Sequence, residues 1–374
     1  MIISPFSRPF YVMAKPVGSS CNLHCSYCYY LSKEQGRMSD ELLEEFTCQY
    51  IEAQTQHEVL FTWHGGEPLL LPVSYYERAL ALHQRYSCGH HIDNCLQTNG
   101  TLLTPEWCRF FRDHHFLIGI SIDGPEPVHN SYRQQFDKTL RGIRLLQEYG
   151  VEWNAMATVN SRNVSDPRAF YAFFKEIGCQ YLQFTPIVER QPDGSMTPES
   201  VTAASWGDFL VALFDEWLRE DVGQVFVQLF DATLANWLGV QPGVCSMSAY
   251  CGQAAALQPN GDLYSCDHFV FPQYLLGNLR RQTITAMMYG EQQRLFGRAK
   301  SEALPLQCRQ CRWLFACHGE CPKNRILPGG LNYLCEGYRR FFAHVAPTMD
   351  LMATEVMGSY TPLLFSMDTT KCVV

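Results

Sequence analysis

The stretch "FYVMAKPVGSSCNLHCSYCYY", residues 10–30, runs from an apolar segment straight into three cysteines. Its first part reads as a strand, because Phe, Tyr and Val suit a half-buried pleated surface. Cys21, Cys25 and Cys28 follow in C-x3-C-x2-C spacing, and the next cysteine, Cys48, lies beyond a predicted helix. Three thiolates in one loop suggest a metal. A closed structural zinc site takes four protein ligands, so three cysteines make a poor one unless His24 or a distant residue completes it. A cubane iron–sulfur cluster takes one thiolate per iron, so three thiolates leave one iron with an open coordination position.

Outward from that loop a rhythm repeats. Ser39 can cap a helix through "SDELLEEFTCQYIEAQ", with acids in its first turn. "EVLFTW" (58–63) leads into "HGGEP" and a helix around 73–87; "IDNCLQT" (92–98) leads into "NG" and a helix opening at Thr104-Pro105. "FLIGISI" (116–122) leads into "DGP" and a helix near 137–149. "VEWNAMATV" (151–159) leads into "NSRN" and a helix near 166–177, and "QYLQFTP" (180–186) comes last. Six strand–loop–helix units predict a parallel sheet, curled toward a barrel by right-handed crossovers. A doubly wound sheet would give the same alternation. The cysteine, "GGEP", "TNG", "SIDG" and "TVN" segments all sit at or after strand C-termini, the face that carries chemistry in α/β barrels. Six units rather than eight leave one side open to a bulky substrate such as a polypeptide.

Residues 191–243 read as a connector with an amphipathic helix through "VTAASWGDFLVALFDEWLRE". From Cys245 the texture turns to cysteines, glycines and short strands, with a hairpin signal at Pro259-Asn260-Gly261 and a closing helix over 338–357. The expected division is 1–235 and 236–374.

The chain has 374 residues and a net charge of -8, with no run of Lys or Arg, which argues against a nucleic-acid partner. Neither a signal peptide nor an apolar run of membrane-span length is read, and Cys372 stands one residue short of a prenylation box. The expectation is a soluble cytoplasmic protein. Seventeen cysteines, an odd number without an export signal, favour metal ligation over disulfides. Cys48, Cys88, Cys95, Cys108, Cys179 and Cys372 are scattered and read as small buried hydrophobes. Cys245, Cys251, Cys266, Cys308, Cys311, Cys317, Cys321 and Cys335 are grouped, with C-x2-C-x5-C-x3-C at their centre. Eight thiolates would fill two closed four-thiolate iron–sulfur clusters, and the spacing alone fits two zinc sites equally well. His24, His64 and His268 lie near these motifs and read as satisfied polar residues.

The first motif, with Tyr27 ahead of its third cysteine, resembles the radical S-adenosylmethionine (SAM) superfamily, and "GGEP" resembles that family's glycine-rich segment. "CRQCRWLFACHGEC" (308–321) resembles its SPASM domain, and "MAKPVGSSCNLHCSYCYYLSK", "SIDGPEPVHNSYR" and "YSCDHFV" together resemble the anaerobic sulfatase-maturating enzymes. The resemblance implies a partial (β/α)6 barrel with a C-terminal auxiliary iron–sulfur domain. It implies SAM as cofactor and three [4Fe–4S] clusters. Cys21, Cys25 and Cys28 would hold the open one; Cys245, Cys251, Cys266 and Cys321 one auxiliary cluster; Cys308, Cys311, Cys317 and Cys335 the other.

Tyr27, Gly66, Ser121, Arg133 and Val188 match cofactor contacts of the family. The glycines are expected to let backbone approach the cofactor's amino group. The implied reaction converts a Cys or Ser of a sulfatase, within C/S-x-P-x-R, to Cα-formylglycine. A cofactor-derived radical takes a Cβ hydrogen, Asp267 takes a proton, and an auxiliary cluster takes an electron. Tyr30 would touch the peptide, and flavodoxin or ferredoxin would supply electrons. Two alternatives share the cysteines: a radical enzyme forming thioether or carbon–carbon crosslinks, and a zinc-stapled adaptor.

Overall fold

A computed structural model of the chain describes residues 10–366, with side chains through residue 358. The predicted units form as strands β1 (Tyr11–Ala14), β2 (Glu58–Trp63), β3 (His91–Thr98), β4 (Leu117–Ser121), β5 (Trp153–Val159) and β6 (Tyr181–Pro186). Helices α1 (Asp40–Glu52), α2 (Val73–Tyr86), α3 (Pro105–Asp113), α4 (Glu126–Tyr132), α5 (Phe136–Tyr149) and α6 (Pro167–Glu176) alternate with them. Ser39 caps α1 by accepting from the Leu42 amide at 3.3 Å, and Thr104 caps α3, which opens on Pro105. The short helix α4 was not predicted. It is cut from α5 by Gln134 and Gln135, both at positive φ, a break that no proline or glycine in the sequence marks.

The connector holds α7 (Ala203–Glu220), the two-residue β7 (Phe226–Val227) and α8 (Gln228–Trp237). After it come β8 (Ala254–Leu257), β9 (Asp262–Tyr264), β10 (Leu275–Asn278), α9 (Ile284–Met288), α10 (Glu291–Glu302), α11 (Leu306–Arg309), α12 (Leu314–Cys317) and α13 (Cys335–Ser366). The described strands form one sheet in the order β10-β9-β8-β1-β2-β3-β4-β5-β6-β7. From β8 through β7 every neighbouring pair is parallel, and the β8–β9–β10 hairpins are antiparallel. The expected Pro-Asn-Gly hairpin is β8–β9, with Gly261 at φ 94.

The sheet therefore runs on across the boundary expected at 235. β8 is buried at all four positions, because β1 flanks it on one side and β9 on the other. The core is aromatic: Phe46, Tyr50, Phe61 and Trp63 pack in edge and stacked contacts between α1, α2 and β2. Full burial of each such side chain contributes about 2–3 kcal/mol. Among the scattered cysteines, Cys108 and Cys179 are buried as expected. Cys88 is exposed, at φ 47 in the turn after α2, which corrects its reading as a core residue. Cys372 lies outside the described residues. Among the described residues, no helix is long and apolar enough to cross a membrane.

Candidate functional site

The strand C-termini of β1 to β6 meet on one face, and the three-cysteine loop is stitched to it from every side. The Gly66 amide donates to the Gly18 carbonyl at 2.7 Å, and the Glu67 amide to Ser20 at 2.8 Å. Asn99, after β3, donates to Asn22 at 2.9 Å and lies 3.8 Å from Cys21 Sγ. The Ser26 amide reaches the Tyr132 carbonyl at 3.1 Å, and the Cys25 thiol points at the carbonyl of Arg133 at 3.8 Å. Burial first, then Cys28, Asp123 and Cys21, push the Cys25 thiol up to about 11, against the pull of Arg133.

The glycine pair has a packing role that the sequence reading did not include. A Cβ at Gly66 would stand 2.0 Å from the Ser20 carbonyl oxygen, and one at Gly65, at φ 132, would stand 2.9 Å from that of Gly18. Glycine is required here so that the loop after β2 can dock on the cysteine loop. Glu67 is a clamp in the same junction: fully buried, it accepts from Leu69 N at 3.0 Å, Thr98 Oγ1 at 2.7 Å and Asn99 N at 2.9 Å.

Ser121, Tyr27 and Arg133 share this face. Ser121 Oγ accepts from Gln97 at 2.9 Å. The buried Asp123 receives the Tyr27 hydroxyl and Arg133 Nε on one oxygen and the Thr158 amide, at 2.9 Å, on the other. The Arg133 guanidinium also lies 5.5 Å from the centre of the Tyr27 ring. Asp123 thus fixes two of the five residues matched to the cofactor, and the sequence reading missed it. Val188 is buried after β6, and its carbonyl accepts from Lys323 at 3.0 Å.

Asp267, beside Cys266 on the far side of the chain, arrives at the same place through the β1–β8 pairing. One of its oxygens receives the hydroxyl of Tyr29, the residue after Cys28; the other pairs with the ammonium of Lys15, the residue after β1. Lys15 is completely buried, stands 4.2 Å over the Tyr30 ring and lies 3.5 Å from His64 Nδ1. Burial alone would raise the Asp267 carboxyl, but the charges of Lys15, His64 and His268 outweigh it and hold the group below the ordinary carboxylate range.

His64 is satisfied, accepting from the Gly65 amide at 2.7 Å, and burial lowers it to about 4. His268 departs from its reading: its Nδ1 is buried without a hydrogen-bond partner, as is the amide nitrogen of Gln258. Tyr30 is itself buried and spends its hydroxyl on Gln258 at 2.6 Å. Lys15 and Tyr29 lie within the cysteine stretch of residues 10–30 and Gln258 outside it, but nothing in the sequence marks them as neighbours of Asp267; the register of β1 on β8 brings them there.

The remaining thiols fall into two groups by which charges they feel after burial. Cys266 feels Cys245 and Cys251, and Cys321 feels Cys266 and Cys245. Cys317 feels Cys335 and Cys308, and Cys335 feels Cys308 and Cys311. Two cations stand beside these thiols, the buried Lys300 and the half-buried Arg325. Lys300 donates to the carbonyls of Cys245 and Ser246 at 2.7 and 2.8 Å, and Arg325 to those of Gly319 and Lys300 at 3.0 and 2.6 Å. One set of three thiols and two sets of four match in number the donors that one open and two closed cubane clusters require. The described cysteines are all free thiols.

A model of the radical SAM superfamily matches residues 16–174, and one of an iron–sulfur cluster-binding domain, SPASM, matches residues 249–312. The chain is 52% identical to a serine-type anaerobic sulfatase-maturating enzyme of Bacteroides thetaiotaomicron, over 96% of this chain and 95% of that one. It is 30% identical to a cysteine-type anaerobic sulfatase-maturating enzyme of Clostridium perfringens, over 93% and 99%. The solved structure of native anSMEcpe with bound AdoMet and Cp18Cys peptide superposes with a TM-score of 0.85 at 30% identity, covering 93% of this chain and all of the other.

Proposed function

We propose, for a chain that belongs to the anaerobic sulfatase-maturating enzymes of the radical SAM superfamily, that it oxidises a serine of a sulfatase polypeptide to Cα-formylglycine. One observation carries the reading: Tyr29 ties Asp267, the neighbour of Cys266, to the residue next to Cys28. A carboxylate thereby sits between the open three-thiol site and a closed four-thiol site.

Cys21, Cys25 and Cys28 would hold the cluster that binds SAM, and Tyr27, Gly66, Ser121, Arg133 and Val188 would surround the cofactor. The eight later cysteines would hold two auxiliary clusters in the groups given above. When bound, these groups supply a radical that takes one hydrogen atom from the target Cβ and an acceptor for the electron that follows. The chain's own residues do the rest. Asp267 takes the proton of the target hydroxyl, so that loss of one hydrogen atom, one proton and one electron turns CH2–OH into an aldehyde. Lys15 and Tyr29 each occupy one carboxylate oxygen, and an ionised carboxylate has about four lone-pair sites, so a site for the proton remains. The buried ring of Tyr30 and the half-buried rings of Tyr29 and His64 limit water around the carboxylate.

Serine is the proposed target because relatives named serine-type reach 52% and 37% identity, whereas the Clostridium perfringens cysteine-type relative stands at 30%. The target motif would be S-x-P-x-R, the electron source a low-potential flavodoxin or ferredoxin, and the setting the reducing cytoplasm that free thiols require. Anaerobic incubation of the iron-loaded enzyme with S-x-P-x-R and C-x-P-x-R peptides, read by mass spectrometry, tests both target and reaction. Aldehyde should form faster on the serine peptide. In Asp267→Asn, 5′-deoxyadenosine should still form while formylglycine per 5′-deoxyadenosine falls at least tenfold; an unchanged ratio removes Asp267 as the base. A crosslinked product without aldehyde would favour the thioether or carbon–carbon reading.

A further inference from the structure

A lysine with no exposed surface in an enzyme core needs a reason. Lys15 leaves β1 with its backbone amide on the Leu257 carbonyl at 2.9 Å, so the end of β8 fixes where its side chain begins. The side chain crosses beneath the site, and the ammonium meets three groups from three different elements. They are the Asp267 carboxylate from the segment after β9, the Tyr30 ring at 4.2 Å from the cysteine loop, and His64 Nδ1 at 3.5 Å after β2. Nδ1 of His64 already accepts from the Gly65 amide at 2.7 Å, so the imidazole presents a fixed edge to the lysine. The other Asp267 oxygen is held by Tyr29. A carboxylate held at one oxygen by a fully buried ammonium and at the other by the half-buried Tyr29 cannot rotate about its side-chain bonds without breaking an ion pair.

We propose that Lys15 is a positioning residue for the reaction: its buried ammonium fixes the orientation of the Asp267 carboxylate toward the target side chain. This rests on the reading of Asp267 as the proton acceptor. Its consequence is specific. Hydrogen abstraction does not involve Asp267, so loss of Lys15 leaves cofactor cleavage intact and uncouples it from aldehyde formation.

The test uses the full-length, iron-loaded enzyme with the serine peptide, measuring iron per chain, thermal melting, and formylglycine formed per 5′-deoxyadenosine. Lys15→Met should keep its iron and lower the product ratio at least tenfold. Lys15→Arg, which keeps the charge but replaces the contact geometry, should lower it severalfold. Lys15→Met/Asp267→Asn should match Asp267→Asn alone, because both act through one group. A purely structural lysine would lower both products in parallel with the ratio unchanged, and that result overturns the proposal. So does a double variant whose ratio falls well below that of Asp267→Asn. If Lys15→Met does not retain iron, Lys15→Arg decides, and a wild-type ratio there overturns the proposal. A wild-type ratio in Asp267→Asn removes the base assignment and this inference with it. An uncoupled Asp267→Asn beside a coupled Lys15→Met removes the inference alone.

Discussion

His83 on α2 is buried with both ring nitrogens unpartnered, its ring 3.9 Å from that of Phe61 and stacked near Trp63. It behaves as an aromatic core residue, and burial holds its pKa down at about 3. Below the ordinary histidine value of about 6.5, the unfolded chain binds a proton that the folded chain refuses. Stability is therefore lost as pH falls from that value toward about 3, at up to about 1.4 kcal/mol per unit. His83→Phe should flatten the dependence of melting temperature on pH between neutrality and mild acid; a slope equal to wild type would show that the histidine charges without unfolding. At this scale the sequence was legible where chemistry is written in spacing. Cys21, Cys25 and Cys28 mark a candidate three-thiol site by their spacing, and Asp267 stands out beside Cys266. His83 and Lys15 carry no such mark, because their chemistry comes from burial.

Among the helices, α7 and α13 cross at two glycines. A Cβ on Gly337 would meet the Ala203 carbonyl oxygen at 2.2 Å, and one on Gly207 would meet Gly337 Cα at 2.8 Å. Trp206 against Tyr338 and Phe214 against Phe341 complete the contact. Gly337→Ala must push the helices apart at an overpacking cost of about 1–3 kcal/mol. Cys335 opens α13, so the same displacement moves a thiol of the second closed set. Iron in the reconstituted variant should fall toward about eight per chain from the about twelve of three cubane clusters. An unchanged count would mean that the helix end yields without moving its thiol. The amphipathic α7 was legible from its period. The glycine crossing was not, since neither glycine is near the other in sequence.

Across the whole molecule, one sheet joins the barrel to the cysteine-rich part. Removing residues after 240 would strip β8 from β1 and expose the β1 edge, a row of unpaired backbone groups that invites association. It would also remove Asp267. Such a fragment should be poorly soluble and make no formylglycine, whereas a monodisperse, iron-binding fragment would show that β1 does not need β8.

The sequence by itself determined the strand–helix rhythm and the grouping of eleven cysteines into a loop of three and a later set of eight, because periodicity and residue spacing are local properties of a chain. Only the tertiary structure decided that β8 lies against β1. It also decided that Tyr29 and Lys15 close on Asp267, and that "GGEP" needs its glycines to dock on the cysteine loop. Those contacts join residues up to 252 positions apart, the separation of Lys15 from Asp267, and the register of a sheet sets them.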